Sequence, residues 1–115
     1  VMPQQPARGE IWFVDLNPVR GHEQAGKRPA LVVSVDLFNS GPAGLVVVLP
    51  MSAKDKGIPF HVGINPPEGG LTRKSFIKCE DIRSISKKHL LSPVGRVSPS
   101  TMVTVEDRLR ILLNL

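Results

Sequence analysis

Residues 44–51 read GLVVVLPM, and the placing of these apolar side chains decides the fold. As an extended strand the segment points Leu45, Val47 and Leu49 to one face and Val46 and Val48 to the other. A strand with one face in water alternates apolar with polar; this one does not. The same two-faced pattern returns in EIWFVDL (10–16), where Ile11 and Phe13 oppose Trp12, Val14 and Leu16. Sheets of this kind need cover on both faces. The sequence therefore predicts a strongly bent antiparallel sheet or half-open barrel, with a second subunit supplying the remaining cover.

Further strands are expected at PALVVSVD (29–36), PFHVGI (59–64) and SFIKCEDIRSIS (75–86). Eleven prolines and ten glycines in 115 residues fit many turns between short strands. The tail changes period. Met102, Val105, Leu109, Leu112 and Leu113 recur at helical spacing, and Ser98-Pro99 supplies an N-cap and first-turn pair. The expected fold is mainly β, in one domain spanning residues 1–115, closed by a C-terminal α-helix.

Composition narrows function. The lone cysteine, Cys79, cannot form an internal bridge, and in a strand it reads as a small core or interface residue. No apolar run approaches the ~20 residues of a membrane span, and no signal-peptide core precedes the first strand, so a cytoplasmic location without membrane attachment is expected. The net charge of +5 fits either ordinary solubility or a phosphate-bearing partner. With no tyrosine, one tryptophan and four phenylalanines, a broad base-stacking platform is not expected, so backbone phosphates would carry the affinity. His22, His61 and His89 lie at no metal-ligand spacing from one another or from Cys79, and no cofactor is implied. His61 and His89 as an acid–base pair is a minor alternative.

The densest polar chemistry is NPVRGHEQAGKR (17–28), a loop long for a hairpin and attached directly to an apolar strand. Pro29 biases Arg28 toward extended geometry, so its guanidinium rides on a rigid strand end while Glu23 and Lys27 ride on the loop. A solvated loop in which Glu23 pairs with Lys27 or Arg28 is the plainer alternative. Ser52 follows strand 44–51, and antiparallel pairing with the strand after Arg28 brings the two together. A turn-capping role for Ser52 is the competing reading. Lys54 and Lys56 follow, placed to track phosphates or simply solvated. An arginine fork, a carboxylate and a hydroxyl suit cleavage of RNA by its own 2′-hydroxyl. The fork matches the phosphoryl oxygens that gain charge, the carboxylate takes the 2′ proton, and the hydroxyl donates to a non-bridging oxygen.

RGEIWFVDLNPVRGHEQAGKRPALVVS, VVLPMSAKDKGIPFHV and IKCEDIRSI, in this order and spacing, resemble the MazF/PemK family of toxin endoribonucleases, the mRNA interferases. The resemblance implies an SH3-like barrel of the type shared with CcdB gyrase poisons, working as a homodimer. It implies metal-independent cleavage of single-stranded mRNA at a short sequence, leaving a 2′,3′-cyclic phosphate (or 3′-phosphate) and a 5′-hydroxyl, and inhibition by a MazE-type antitoxin. Carried over by position, the essential arginine falls on Arg28 and the loop glutamate on Glu23. The catalytic threonine falls on Ser52, a departure that keeps the hydroxyl and loses the methyl that stiffens its rotamer. Gln24, Lys27, Lys54 and Lys56 become RNA-binding residues. An Arg/Asp pair of the PemK-like branch is replaced by Lys78 and Glu80. The alternatives are a CcdB-like protein-binding gyrase poison and a non-catalytic RNA-binding barrel.

Overall fold

The structure, a computed structural model, describes residues 5–17, 21 and 25–115. Seven antiparallel strands and a C-terminal helix make the fold: β1 (Glu10–Asp15), β2 (Lys27–Val32), β3 (Leu45–Ser52), β4 (His61–Ile64), β5 (Ser75–Lys78), β6 (Arg83–Ser86), β7 (Leu90–Arg96) and α2 (Pro99–Leu113). A single turn of helix, α1 (Asp36–Asn39), lies between β2 and β3. The strand order is β4-β5-β3-β2-β1-β7, with β6 also paired to β3.

The segment 44–51 proves to be the hub. On one side β3 pairs with β2 from Ala30↔Pro50 to Val32↔Val48. On its other side it takes two partners in succession, β6 along Leu45–Val48 and β5 at Met51 and Ser52. The run 75–86, expected as one strand, is therefore two. A 3-10 turn at Cys79–Asp81 breaks it, so the chain changes direction while both pieces remain against β3. Cys79 sits in this turn rather than in a strand, fully buried. The strand read at 29–36 starts earlier and ends earlier, because Asp36 opens α1. Strand β7 was not expected at all: LLSPVGR carries Pro93 and Gly95 and has no clean alternation, a pattern tolerated at a sheet edge.

The bend comes from two irregularities in the β1–β7 register, between Ile11 and Trp12 and between Phe13 and Val14. The two ends of the strand order are brought together by close backbone approach instead of a ladder. A 3-10 turn at Glu68–Gly70 packs on β7, and a Cβ built on Gly95 would lie 2.4 Å from the Gly69 carbonyl carbon. Only glycine fits there. The result is a barrel that is not strictly closed.

Successive residues of the central strands enter different cores. Ile11, Leu31, Leu49, Met51 and Ile77 join Val105 of α2 in one, while Trp12, Val14, Ala30, Val32, Val46 and Val48 join Leu90 in the other. Both faces are thus covered within one chain, and the two-faced pattern by itself needs no second subunit. Helix α2 begins as the sequence indicates: Ser98 Oγ accepts from the Thr101 amide at 3.2 Å and Pro99 occupies the first turn. Met102, Val105 and Leu109 pack on the first core, but Leu113 is left exposed where the helix ends in the left-handed Asn114. The carboxyl of Glu68 clamps this start. It accepts from the Thr101 hydroxyl at 2.5 Å and from the Ser98 amide and hydroxyl at 3.1 and 3.3 Å. Burial raises its pKa, but these hydrogen bonds outweigh the burial and leave the group below the ordinary carboxylate value.

Candidate active site

The site lies where β2, β3 and β5 end together. Arg28 is the second residue of β2, opposite Val14 of β1. Continuing the β2–β3 register outward from Ala30↔Pro50 places Arg28 level with Ser52. The side chain holds that position: Arg28 Nη1 donates to the Met51 carbonyl at 3.3 Å and Nε to the Ala25 carbonyl at 2.7 Å. Arg28 is half-buried, and among the described residues no carboxylate pairs with it. The base of the loop before it is pinned, since the Gly26 amide donates to Asn17 Oδ1 at 3.2 Å and the Leu16 amide to the Gly26 carbonyl at 3.0 Å. Glu23 and Gln24, like His22, fall outside the described residues.

Ser52 ends β3, paired across with Phe76 of β5. Its Oγ accepts the Lys54 amide at 3.2 Å. This is the turn-capping contact weighed against catalysis in the sequence, and it leaves the hydroxyl proton free for another acceptor.

A cleft of about 600 Å³ opens over these groups, lined by Lys27, Arg28, Ser52 and Lys54 together with Phe13, Thr72, Arg73 and others. Among the described residues that line it, none is acidic. Of the sequence-derived site residues, the structure collects Lys27, Arg28, Ser52 and Lys54; Lys56 is exposed on the following loop and is not part of the cleft wall. Phe13, Thr72 and Arg73 were missed. For Arg73 the one signal was the basic pair Arg73-Lys74 leading into the strand expected from residue 75.

Other candidates disperse. Lys78 is buried, with Nζ 3.9 Å from Asp81, which also pairs with Arg83 at 2.7 Å. Glu80 bonds His61 Nε2 at 2.8 Å. His89 borders a separate hollow of about 290 Å³ beside Asp15 and Arg83, whose described lining does not include His61. Burial pushes the Cys79 thiol up to about 12, which removes it as a nucleophile. Among the described residues no three His, Cys, Asp or Glu side chains group as a metal site, and no helix is long and apolar enough to cross a membrane.

A small, strongly bent antiparallel barrel with a C-terminal helix is the fold this chain shares with solved MazF proteins. MazF from Deinococcus radiodurans superposes with a TM-score of 0.87 at 27% identity, covering 97% of this chain and 99% of that one. An endoribonuclease from a mycobacterial species, solved in complex with its cognate antitoxin, gives 0.75 at 26% identity over 96% of this chain and 95% of that one. In sequence, endoribonuclease MazF9 of Mycobacterium tuberculosis is 39% identical over 113 residues, 94% of this chain and 96% of the relative. Endoribonuclease EndoA of Bacillus subtilis is 36% identical over 109 residues, 94% of each. The family pattern of PemK-like, MazF-like toxins of type II toxin–antitoxin systems matches residues 7–113, and the chain belongs to that family.

Proposed function

We propose that the chain is a sequence-specific, metal-independent endoribonuclease toxin that cuts single-stranded mRNA by attack of a 2′-hydroxyl on the adjacent phosphate. The observation that carries this reading is that Arg28 and Ser52 line one cleft, with the Arg28 guanidinium held on the Met51 carbonyl next to Ser52, and that the described lining is basic with no acidic residue. A polyanion meets no repulsion from these described residues, and a planar guanidinium braced by two carbonyls needs little reorganisation when charge develops on the phosphoryl oxygens.

The step balances without a metal. The 2′-oxygen bonds to phosphorus as its proton passes to a base, and the P–O5′ bond breaks. The products are a 2′,3′-cyclic phosphate and, once the leaving oxygen is protonated, a 5′-hydroxyl. Arg28 stabilises the pentacoordinate phosphorus, with proton donation to the 5′-oxygen as a secondary role. Ser52 donates to a non-bridging oxygen. Glu23 is the general base when loop 17–28 folds over RNA. Gln24, Lys27 and Lys54 hold the flanking strand, and Lys56, exposed beyond the cleft wall, contacts RNA that leaves the cleft.

In this reading residues 1–115 act as one endoribonuclease domain in the cytoplasm, as a homodimer restrained by a MazE-type antitoxin. Exposed apolar side chains on and beside α1, among them Val35, Leu37 and Phe38, are consistent with a protein partner. Incubation with a long transcript in EDTA, followed by mapping of ends, tests the function. Cuts at a recurring short sequence with 5′-hydroxyl ends are expected. Binding without cuts would indicate a passive RNA-binding barrel, and neither binding nor cuts a protein-directed poison; both overturn the proposal.

A further inference from the structure

Ser52 has a basic neighbour on each side. On one side, β2 brings Arg28 level with it. On the other, β5 pairs Phe76 with Ser52, and the chain leading into β5 carries Arg73 into the same cleft. The strand carrying Arg28 and the strand that Arg73 leads into are two spacings apart, roughly 10 Å, and Arg73 stands further off along the strand direction, ahead of the Phe76 that pairs with Ser52. We propose that Arg73 grips the phosphodiester next to the scissile one, so that a guanidinium stands on either side of the reacting linkage. The inference rests on the endoribonuclease reading above and adds a second point of attachment to it.

Several features set Arg73 apart from an ordinary solvated arginine. Its backbone is braced: Leu71 is buried in the first core, and Ser75, also buried, donates its hydroxyl to the Arg73 carbonyl at 3.2 Å. The adjoining turn at Glu68–Gly70 is clamped to α2 through Glu68. Its neighbour Lys74 is turned away, with Nζ 5.5 Å from the centroid of the Phe76 ring. Arg73 itself has no ion pair or hydrogen bond from its guanidinium among the described residues, although Arg8, Arg83, Arg96 and Arg108 each hold a carboxylate. A fixed backbone carrying an unsatisfied fork into a cleft with no acid group among its described lining residues is placed for an anion supplied from outside. The spacing selects a neighbouring phosphate, because the scissile one lies against Arg28 and Ser52.

The test uses Arg73→Ala and Arg73→Lys in the full chain, with Arg110→Ala as a charge-matched control. Arg110 is exposed on α2 and lies outside the cleft wall. Binding is read on an oligonucleotide with a 2′-deoxy scissile position, which reports on Arg73 separately from cleavage. For Arg73→Ala the RNA Kd and KM should rise about tenfold, the scale of one lost charge-assisted contact. Cleavage at saturation should stay within about twofold. The log–log salt slope should become shallower by about 0.7, one phosphate fewer. Arg73→Lys should restore the slope and part of the affinity, and Arg110→Ala should change neither. Methylphosphonates placed one linkage at a time should weaken wild-type binding at a single flanking phosphate, and that penalty should vanish in Arg73→Ala. Wild-type slope and affinity in Arg73→Ala, or a loss that couples to no single phosphate, would overturn the inference while leaving the endoribonuclease reading intact. A wild-type chain that binds but never cuts would overturn that reading instead.

Discussion

Replacing Arg28 with alanine removes two things that can be measured separately. The first is structural. Nε and Nη1 bond the Ala25 and Met51 carbonyls, and each such bond contributes about 0.5–1.5 kcal/mol net, so the folded state should lose about 1–3 kcal/mol. For a chain of this size that lowers Tm by about 4 °C per kcal/mol. The second is chemical. A donor held ready for a developing oxyanion is worth on the order of 10²–10³ in rate, or about 2.7–4 kcal/mol of barrier. Single-turnover cleavage of a labelled RNA, at a temperature where circular dichroism shows both proteins fully folded, isolates the chemical part. Arg28→Lys sharpens the comparison: it keeps the charge, but one ammonium cannot hold two carbonyls and still present a planar fork, so a loss of about tenfold is expected. A folded Arg28→Ala protein cutting within threefold of wild type would refute the reasoning, because nothing else described in the cleft offers the same braced donor.

Ser52→Ala should cost less than Arg28→Ala, and Ser52→Thr should match or exceed the wild-type rate, since the hydroxyl is kept and its rotamer stiffened; single-turnover rates decide it. Glu68→Gln should lower stability by about 1–2 kcal/mol at neutral pH, read from urea midpoints, because three contacts converge on the carboxylate. The Glu68 pKa is lowered in the folded state, so the unfolded chain binds more protons as acid is added. The stability that Glu68 contributes is therefore fully present above about 4.5 and is lost as pH falls through the folded value, and the gap between wild type and Glu68→Gln should close there. Cys79, buried and pushed up to about 12, should resist iodoacetamide at neutral pH until urea unfolds the chain. Its raised pKa has the opposite sign of linkage, so it should erode stability as pH rises from about 9 toward 12.

How far the sequence carried the structure differs from element to element. The apolar runs at 10–16 and 44–51 were legible because side chains facing both ways leave few folds open, and the α2 start was legible because Ser98-Pro99 is a local signal. The Gly69–Gly95 contact that curls the sheet onto itself was not legible, because it is long-range and leaves no local periodicity. Strand β7 hid behind its proline, and the break at Cys79–Asp81 hid inside a run with continuous strand propensity. That Arg28 and Ser52 line one cleft followed from pairing β2 with β3. Arg73 did not, because its approach to Ser52 depends on β5 docking beside the end of β3, a register that no neighbouring residue announces. Lys56 lies only two residues beyond Lys54, yet the loop carries it off the cleft wall.

The central claim, that a braced guanidinium meets the phosphorus being attacked, is tested most directly by the structure of the chain bound to its target RNA with the scissile 2′-hydroxyl removed. The account predicts the scissile phosphate within hydrogen-bonding distance of both the Arg28 guanidinium and Ser52 Oγ, inside the cleft beside β2, β3 and β5. An RNA backbone running elsewhere, or an Arg28 head group turned from the phosphate while Ser52 remains engaged only with the Lys54 amide, would contradict it.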